Sequence, residues 1–404
     1  MSSSAPPADR PVFTGLGVLS AFGPGLAPLA AAATRGGTGF AEVTRFDVGR
    51  RGTRRAALLA DPPPLADAVL GAVADAGRQA ELPPGAPLLL ALHSDLQTRE
   101  VARRVSEGAA ALGLAGVHRV YTGACVAAAT AVADAAVLVG SGRYPRVVVA
   151  AGHLVEPGVF AAFDAGRALA RDGALRPFSA GRSGTLLGDA AVAVVVEAAD
   201  AAAARGARPL ARLAGWGRSG DAHHVCRPRP DGAGVARAVR SALARAGVVP
   251  AGVDYVNANG TGSPMSDLAE ARALREVFGA ALATLPVSSS KSVHGHALEA
   301  SALLELAVTI GALGGGGLPV NAGWLGPDPE VELHLVLPEG RTDDRTDDRT
   351  DDRTEDSAEG RTEDRGENSA GGRAADLPGT RPRCALSLNS AFGGANTALL
   401  VAAA

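Results

Sequence analysis

Residues 120–150 read VYTGACVAAATAVADAAVLVGSGRYPRVVVA. A strand ends near Tyr121, an alanine-rich run with helical spacing follows, and a β-branched run begins again at Arg146. A strand, a helix and a strand within so few residues is the signature of α/β construction. Working outward, short strand-like runs recur at 11–18, 88–92 and 190–196, separated by Ala/Leu-rich helical stretches. After Arg208 the rhythm restarts. Strands are expected at 210–217, 253–258 and 286–289, with helices at 232–246 and 264–278. A long apolar helix is expected over 296–311, then strands near Leu318 and at 331–337, 384–390 and 396–402. The halves share this rhythm without visible sequence identity.

Composition narrows the function classes. The chain has 404 residues, 47% hydrophobic and 20% charged, enough for a large core and too apolar for a wholly disordered chain. The net charge of −3 and an aromatic content of 3% leave neither a basic field nor stacking platforms for nucleic acid. Three widely spaced cysteines do not make a disulfide framework and fit a reducing, cytoplasmic setting. No secretory signal is read at the start. Asp134, Asp189, Glu197, Glu299 and Glu305 interrupt the most apolar stretches, so no membrane span is expected. Of the 39 basic residues, Lys291 is the only lysine. Residues 341–373 are an imperfect Arg-Thr-acid repeat with no side chain large enough to bury, expected as a disordered surface insertion between two strands.

Four segments carry candidate chemistry. Cys125 stands between a strand and a helix, where backbone N–H groups and the helix dipole favour a thiolate; a small buried core cysteine reads equally well. In VNANGTGSPMSDLAE, residues 256–270, Asn259 offers an amide and Thr261 and Ser263 two hydroxyls, in what also reads as ordinary turn chemistry before a helix with Asp267 and Glu270. In SSSKSVHGHALEA, residues 288–300, Lys291, His294 and His296 lead into the long helix, and His296 is suited to acid–base work near a thiol. His223, His224 and Cys226 cluster in DAHHVC without a second pair at zinc-type spacing, so no metal is expected. In LNSAFGGANTALLV, residues 388–401, the glycines after Phe392 permit close backbone approach, as in a tight turn or an oxyanion hole.

Taken in this order, the segments resemble the β-ketoacyl-(acyl carrier protein) synthases, the condensing enzymes of fatty acid and polyketide synthesis. The resemblance starts at VFTGLGVLSAFG near Val12 and also covers RPFSAGRSGTLLGDAAVAVVVE and WGRSGDAHHVCRPRPDG. It implies a thiolase-like fold of two pseudo-repeated α/β halves in five αβαβα layers. Residues 10–205 would carry the nucleophile, and residues 206–404 would carry Asn259, Lys291 and His296. It further implies Cys125 as the acylated nucleophile, His296 as the second active-site histidine and Lys291 as the signature lysine. Thr261 and Ser263 match the hydroxyls that hold a phosphopantetheine arm, and Glu270 the supporting acid. The N–H groups of Cys125 and Phe392 match the oxyanion hole, with Phe392 as a gate. No bound cofactor is implied: the substrate rides on the phosphopantetheine of an acyl carrier protein. A homodimer, or a heterodimer with a related ketosynthase or chain-length-factor subunit, is the implied assembly.

Departures accompany the match. Asn259 stands where the family's first active-site histidine belongs. Glu299 replaces a glycine, Cys226 a threonine, and Ser179 and Ser183 stand where acids are usual. The stretch from Arg45 to Cys125 is short, and the turn at Phe392 is one residue short. The leading expectation is a discrete, type II-like ketosynthase. The alternatives are acyl transfer without decarboxylative condensation, or a non-catalytic chain-length-factor-like partner.

Overall fold

Alternating β-branched strands can be buried on both faces only if helices cover both faces. In the computed structural model, which describes residues 10–340 and 381–404, that requirement is met twice. The first half supplies β1 (Val12–Ser20), β2 (Leu88–Ala91), β3 (Val117–Tyr121), β4 (Arg146–His153) and β5 (Ala190–Glu197). They lie in the order β3-β2-β4-β5-β1, parallel across β3, β2 and β4 and antiparallel from β4 through β5 to β1. The second half supplies β6 (Ala211–Gly220), β7 (Tyr255–Asn257), β8 (Pro286–Ser288), β9 (Cys384–Ser390) and β10 (Ala395–Ala403). Their order β8-β7-β9-β10-β6 repeats that of the first half, strand for strand and direction for direction. Two pairings, Val12 with Arg212 and Phe13 with Ala211, join β1 to β6.

Side-chain alternation along the strands separates the layers. On β5, Val192, Val194 and Val196 face a central core, whereas Ala191, Ala193 and Val195 face an outer one. On β10, Leu399 and Val401 share that central core, and Ala398 and Leu400 join the opposite outer one. Helices α1 (Leu65–Gln79) and α2 (Thr98–Ala111) cover the first outer face. Helix α3 (Ala127–Gly140) lies in the middle, and α4 (Ala233–Ala246) and α5 (Pro264–Phe278) cover the second outer face. Helix α6 (Ser301–Leu313) shares the middle with α3, giving αβαβα.

Alanine in the buried helices and glycine in the strands let these layers approach closely. A Cβ on Gly15 or Gly17 of β1 would stand 2.1 Å and 2.0 Å from the carbonyl oxygens of Ala76 and Ala72 on α1. The second half repeats the device. A Cβ on Gly215 or Gly217 of β6 would stand 2.2 Å and 1.9 Å from the carbonyl oxygens of Ala242 and Ala238 on α4. A Gly-x-Gly pair is therefore a sequence trace of the repeat, where no identity between the halves was expected.

Three local expectations are corrected. The long helix begins at Ser301 rather than at 296, because Gly295 (φ 72°) and Leu298 (φ 42°) adopt left-handed backbone that breaks it into the short helix Lys291–His294 and a turn at Leu298–Ala300. The run near Leu318 is coil packed against the central core, and 331–337 yields only the edge strand His334–Leu335 beside β8. The expected insertion at 341–373 lies outside the described residues.

Candidate active site

In each half the connection from the third strand enters the middle layer, and these two connections meet. After β3 the chain makes a single 3₁₀ turn, Ala124–Val126, before α3 begins. Ala124 there has φ 52°, a left-handed conformation for a residue with a side chain, which costs on the order of 1–2 kcal/mol and is held by the surrounding packing. That turn presents Cys125 to the loop after β8. His296 Nε2 lies 3.0 Å from Cys125 Sγ, and His296 Nδ1 lies 2.8 Å from Ser301 Oγ. The Ser301 hydroxyl can donate or accept, so it accommodates either imidazole tautomer. The His296 N–H is itself fixed to the Leu186 carbonyl at 2.7 Å.

The thiolate favoured by sequence position is not the resting form. Burial pushes the Cys125 thiol up to about 12, and the nearby Glu299 carboxylate adds to the rise, while Lys291 opposes it. His296 is held well below its ordinary value by burial and then by the Lys291 charge. Burial is the largest influence on both groups and disfavours both charged forms, so thiol and imidazole rest as a neutral pair.

Lys291 is fully buried, and its charge is met by Glu305 on α6, with Nζ to Oε1 at 2.6 Å. Asn389 Nδ2 donates to the other Glu305 oxygen at 2.8 Å. Burial raises Glu305 to about 7 against the pull of Lys291. Lys291 Nζ also donates to Asn259 Oδ1 at 3.3 Å, and the Ser390 N–H donates to the same oxygen at 3.2 Å. Two donors on one atom fix the orientation of the amide. Both hydrogen bonds of the Asn259 side chain among the described residues are to Oδ1, which leaves its NH2 group unpartnered.

Glu270 acts from behind this loop. Its carboxylate accepts from the N–H groups of Asn259 and Gly260 at 2.7 and 2.8 Å, so it sets the backbone rather than facing the thiol. Asp267 does the same for Phe178 and Gly262. Thr261 and Ser263 are half-buried at the entry to α5, and Ser263 N–H donates to Thr261 Oγ1 at 3.4 Å. Phe392 is 55% exposed on a turn tied by Gly394 N–H to Ala391 O and by Gly393 N–H to Val225 O. Its ring stands 5.8 Å from that of Phe163, and Ala391 packs in the same apolar cluster as Cys125. The Phe392 N–H has no partner among the described residues.

His294 does not face the thiol. Its ring nitrogens engage Gly295 O and Ser290 Oγ. His224 Nδ1 accepts the N–H groups of Cys226 and Arg227, organising an exposed loop. Among the described residues, no group of three or more His, Cys, Asp or Glu is arranged to hold a metal, and no helix is long and apolar enough to cross a membrane.

Sequence reading missed Ser301 and Glu305. Glu305 registered only as a charge within an apolar helix. The available signal was its uniqueness: a lone acid on a helix buried all round requires a buried cation, and the chain has one lysine.

The duplicated strand order with a cysteine–histidine pair between the halves is the thiolase-like fold of condensing enzymes. Residues 100–202 match the beta-ketoacyl synthase N-terminal domain and residues 210–324 the C-terminal domain. The chain belongs to the β-ketoacyl synthase family. It is 41% identical over 227 residues to nodulation protein E of Rhizobium leguminosarum bv. trifolii, covering 55% of each chain. It is 34% identical over 238 residues to 3-oxoacyl-[acyl-carrier-protein] synthase 2 of Staphylococcus aureus, covering 58% of this chain and 59% of that one. The chain thus spans little more than half the length of the curated relatives it matches. Solved structures extend the likeness of fold across the chain. A β-ketoacyl synthase from Burkholderia phymatum aligns with TM-score 0.81 at 23% identity, over 98% of this chain and all of that one. A type II polyketide ketosynthase solved with its acyl-carrier protein aligns with TM-score 0.80 at 21% identity, over 99% of this chain and all of that one. The ishigamide ketosynthase/chain length factor aligns with TM-score 0.77 at 25% identity, over the same shares.

Proposed function

We propose that this chain is a discrete ketosynthase that takes an acyl group from a carrier protein onto Cys125 and condenses it with a malonyl unit, in fatty acid or polyketide synthesis. The observation that carries this reading is the 3.0 Å contact between Cys125 Sγ and His296 Nε2. A neutral thiol beside a neutral imidazole can attack a thioester if the proton moves to Nε2 as the C–S bond forms. The tetrahedral oxyanion would be received by the N–H groups of Cys125 and Phe392. On collapse, the pantetheine sulfur leaves and takes the proton from His296. Carbon dioxide is then lost from a malonyl thioester. The resulting enolate attacks the acyl carbon, and Cys125 Sγ leaves with the electron pair.

In this scheme the Asn259 NH2 donates to the malonyl thioester oxygen, Lys291 fixes that amide, and Thr261 and Ser263 hold the phosphopantetheine arm. Glu270 is a positioning residue. No bound cofactor is required. The partners are an acyl carrier protein and a second ketosynthase-like subunit, identical or related. Free thiols at Cys125, Cys226 and Cys384 accord with the cytoplasm.

Asn259 favours a second reading, acyl transfer without condensation, because an amide is a weaker electrostatic partner for an enolate than an imidazolium. A purely structural partner subunit has no need of the Cys125–His296 pair. Intact mass after incubation with acyl-carrier protein, followed by release of labelled carbon dioxide from malonyl-carrier protein, separates the three. Acylation with release supports condensation, acylation alone supports transfer, and neither supports the partner reading.

A further inference from the structure

Beside Cys125 is a polar cluster that the reaction above does not use. Glu299 lies in the turn Leu298–Ala300, and Leu298 packs in the same apolar cluster as Cys125. Glu299 is 1% exposed, and its Oε1 lies 3.0 Å from His93 Nδ1. Its other oxygen, Oε2, is buried without a hydrogen-bond partner. The His153 ring stands 6.4 Å from that of His93, is itself 3% exposed, and has Nε2 buried and unpartnered. The three side chains come from separate places: the loop after β2, the end of β4 and the turn before α6.

A buried carboxylate oxygen without a donor is costly, and a plain alkyl chain laid against it leaves it so. A site built this way is satisfied only when the ligand brings a donor, and it rejects the analogue that lacks one. We infer that Glu299, with His93 and His153, forms a polar subsite beside Cys125 that receives an acyl group bearing a hydroxyl or amino group in preference to an unsubstituted chain. The donor on the acyl group meets Glu299 Oε2. His93, half-exposed and drawn toward its protonated form by Glu299, holds the carboxylate in place. His153, kept neutral by burial, stands beside His93 in the cluster. This inference rests on Cys125 being the acylated thiol.

The test uses the full chain and pantetheine thioesters of hexanoic acid and of hexanoic acids bearing a hydroxyl or amino group at carbon 2, 3 or 4. Acylation of Cys125 is followed by intact mass. At least one donor-bearing thioester is expected to react ~10-fold or more faster than hexanoyl. Glu299→Gly is expected to invert the ranking. Glu299→Gln, which keeps an acceptor oxygen but no charge, should retain the hydroxyl preference and lose the amino preference. His93→Ala, at a half-exposed position, should narrow the preference while melting near the wild type. Hexanoyl reacting as fast as every substituted thioester overturns the subsite, as does a ranking unchanged in all three variants. Failure of every thioester to label Cys125 overturns instead the acyl-transfer reading on which it rests.

Discussion

Lys291 holds Asn259 by its oxygen: Nζ donates to Oδ1 over 3.3 Å while Glu305 grips the same ammonium at 2.6 Å. The cation thereby determines which end of the amide faces outward. A carboxylate at 259 would offer no donor there, whereas histidine would offer an N–H. Asn259→His is expected to raise malonyl decarboxylation, and Asn259→Asp and Asn259→Ala to lower it ~100-fold or to background. Acylation of Cys125 should be largely unchanged in all three. Equal malonyl turnover in the wild type and the alanine variant would remove Asn259 from the reaction.

The neutral resting pair has a pH signature. With the Cys125 thiol near 12, its alkylation by iodoacetamide in the folded protein should climb steadily through pH 8 to 10. The same thiol in the denatured chain should be half-maximal at ~8.5 and level off about one pH unit above it. The sign for stability follows. Between ~8.5 and about 12 the unfolded chain releases the Cys125 proton and the folded chain keeps it, so this group's contribution falls as pH rises. Cys125→Ser should therefore flatten the alkaline limb of the stability curve. A half-maximum at ~8.5 in the folded protein would contradict the burial argument.

Removing one member of the buried ion pair leaves the other uncompensated. Lys291→Met is expected to destabilise the fold by ~3–5 kcal/mol, and Lys291→Met with Glu305→Leu to recover most of that loss while remaining inactive. Denaturant titration of the single and double variants reads both. Additive losses would mean that the two charges are not coupled.

The inter-layer glycines give a contrast within one helix–strand pair. Gly17→Ala drives a Cβ to 2.0 Å from a backbone oxygen of α1 and should cost ~1–3 kcal/mol or more. Gly71, exposed on α1 with nothing within 4 Å of its Cβ position, should gain ~0.5–1 kcal/mol on substitution by alanine. Thermal melts that moved in the same direction would refute the packing account.

Side-chain pattern made the strands and most helices legible. Residues 264–278 and 384–390 begin and end as read, because Pro264 opens a helix and Cys384 begins an apolar run. Backbone exceptions were not legible. Nothing in the apolar spacing of 296–311 shows that Leu298 would turn left-handed and delay the helix, yet that turn brings both His296 and Glu299 to Cys125. Motif order singled out Cys125, His296, Lys291 and Asn259, which the structure brings together. Their ionisation was not legible in this way, since position at a helix start says nothing of how completely a thiol is desolvated.

The repeated strand order carries a further meaning. Cys125 follows the third strand of its half, and Lys291 and His296 follow the third strand of theirs; His93 follows the second strand of the first half, as Asn259 follows the second strand of the second. Corresponding corners of two structural copies thus meet as partners, one holding the thiol and the other the imidazole, the ammonium and the amide around it. Neither copy contains a whole site. The candidate site is a property of the seam, and one copy alone, with this layout, would bring none of these corners together.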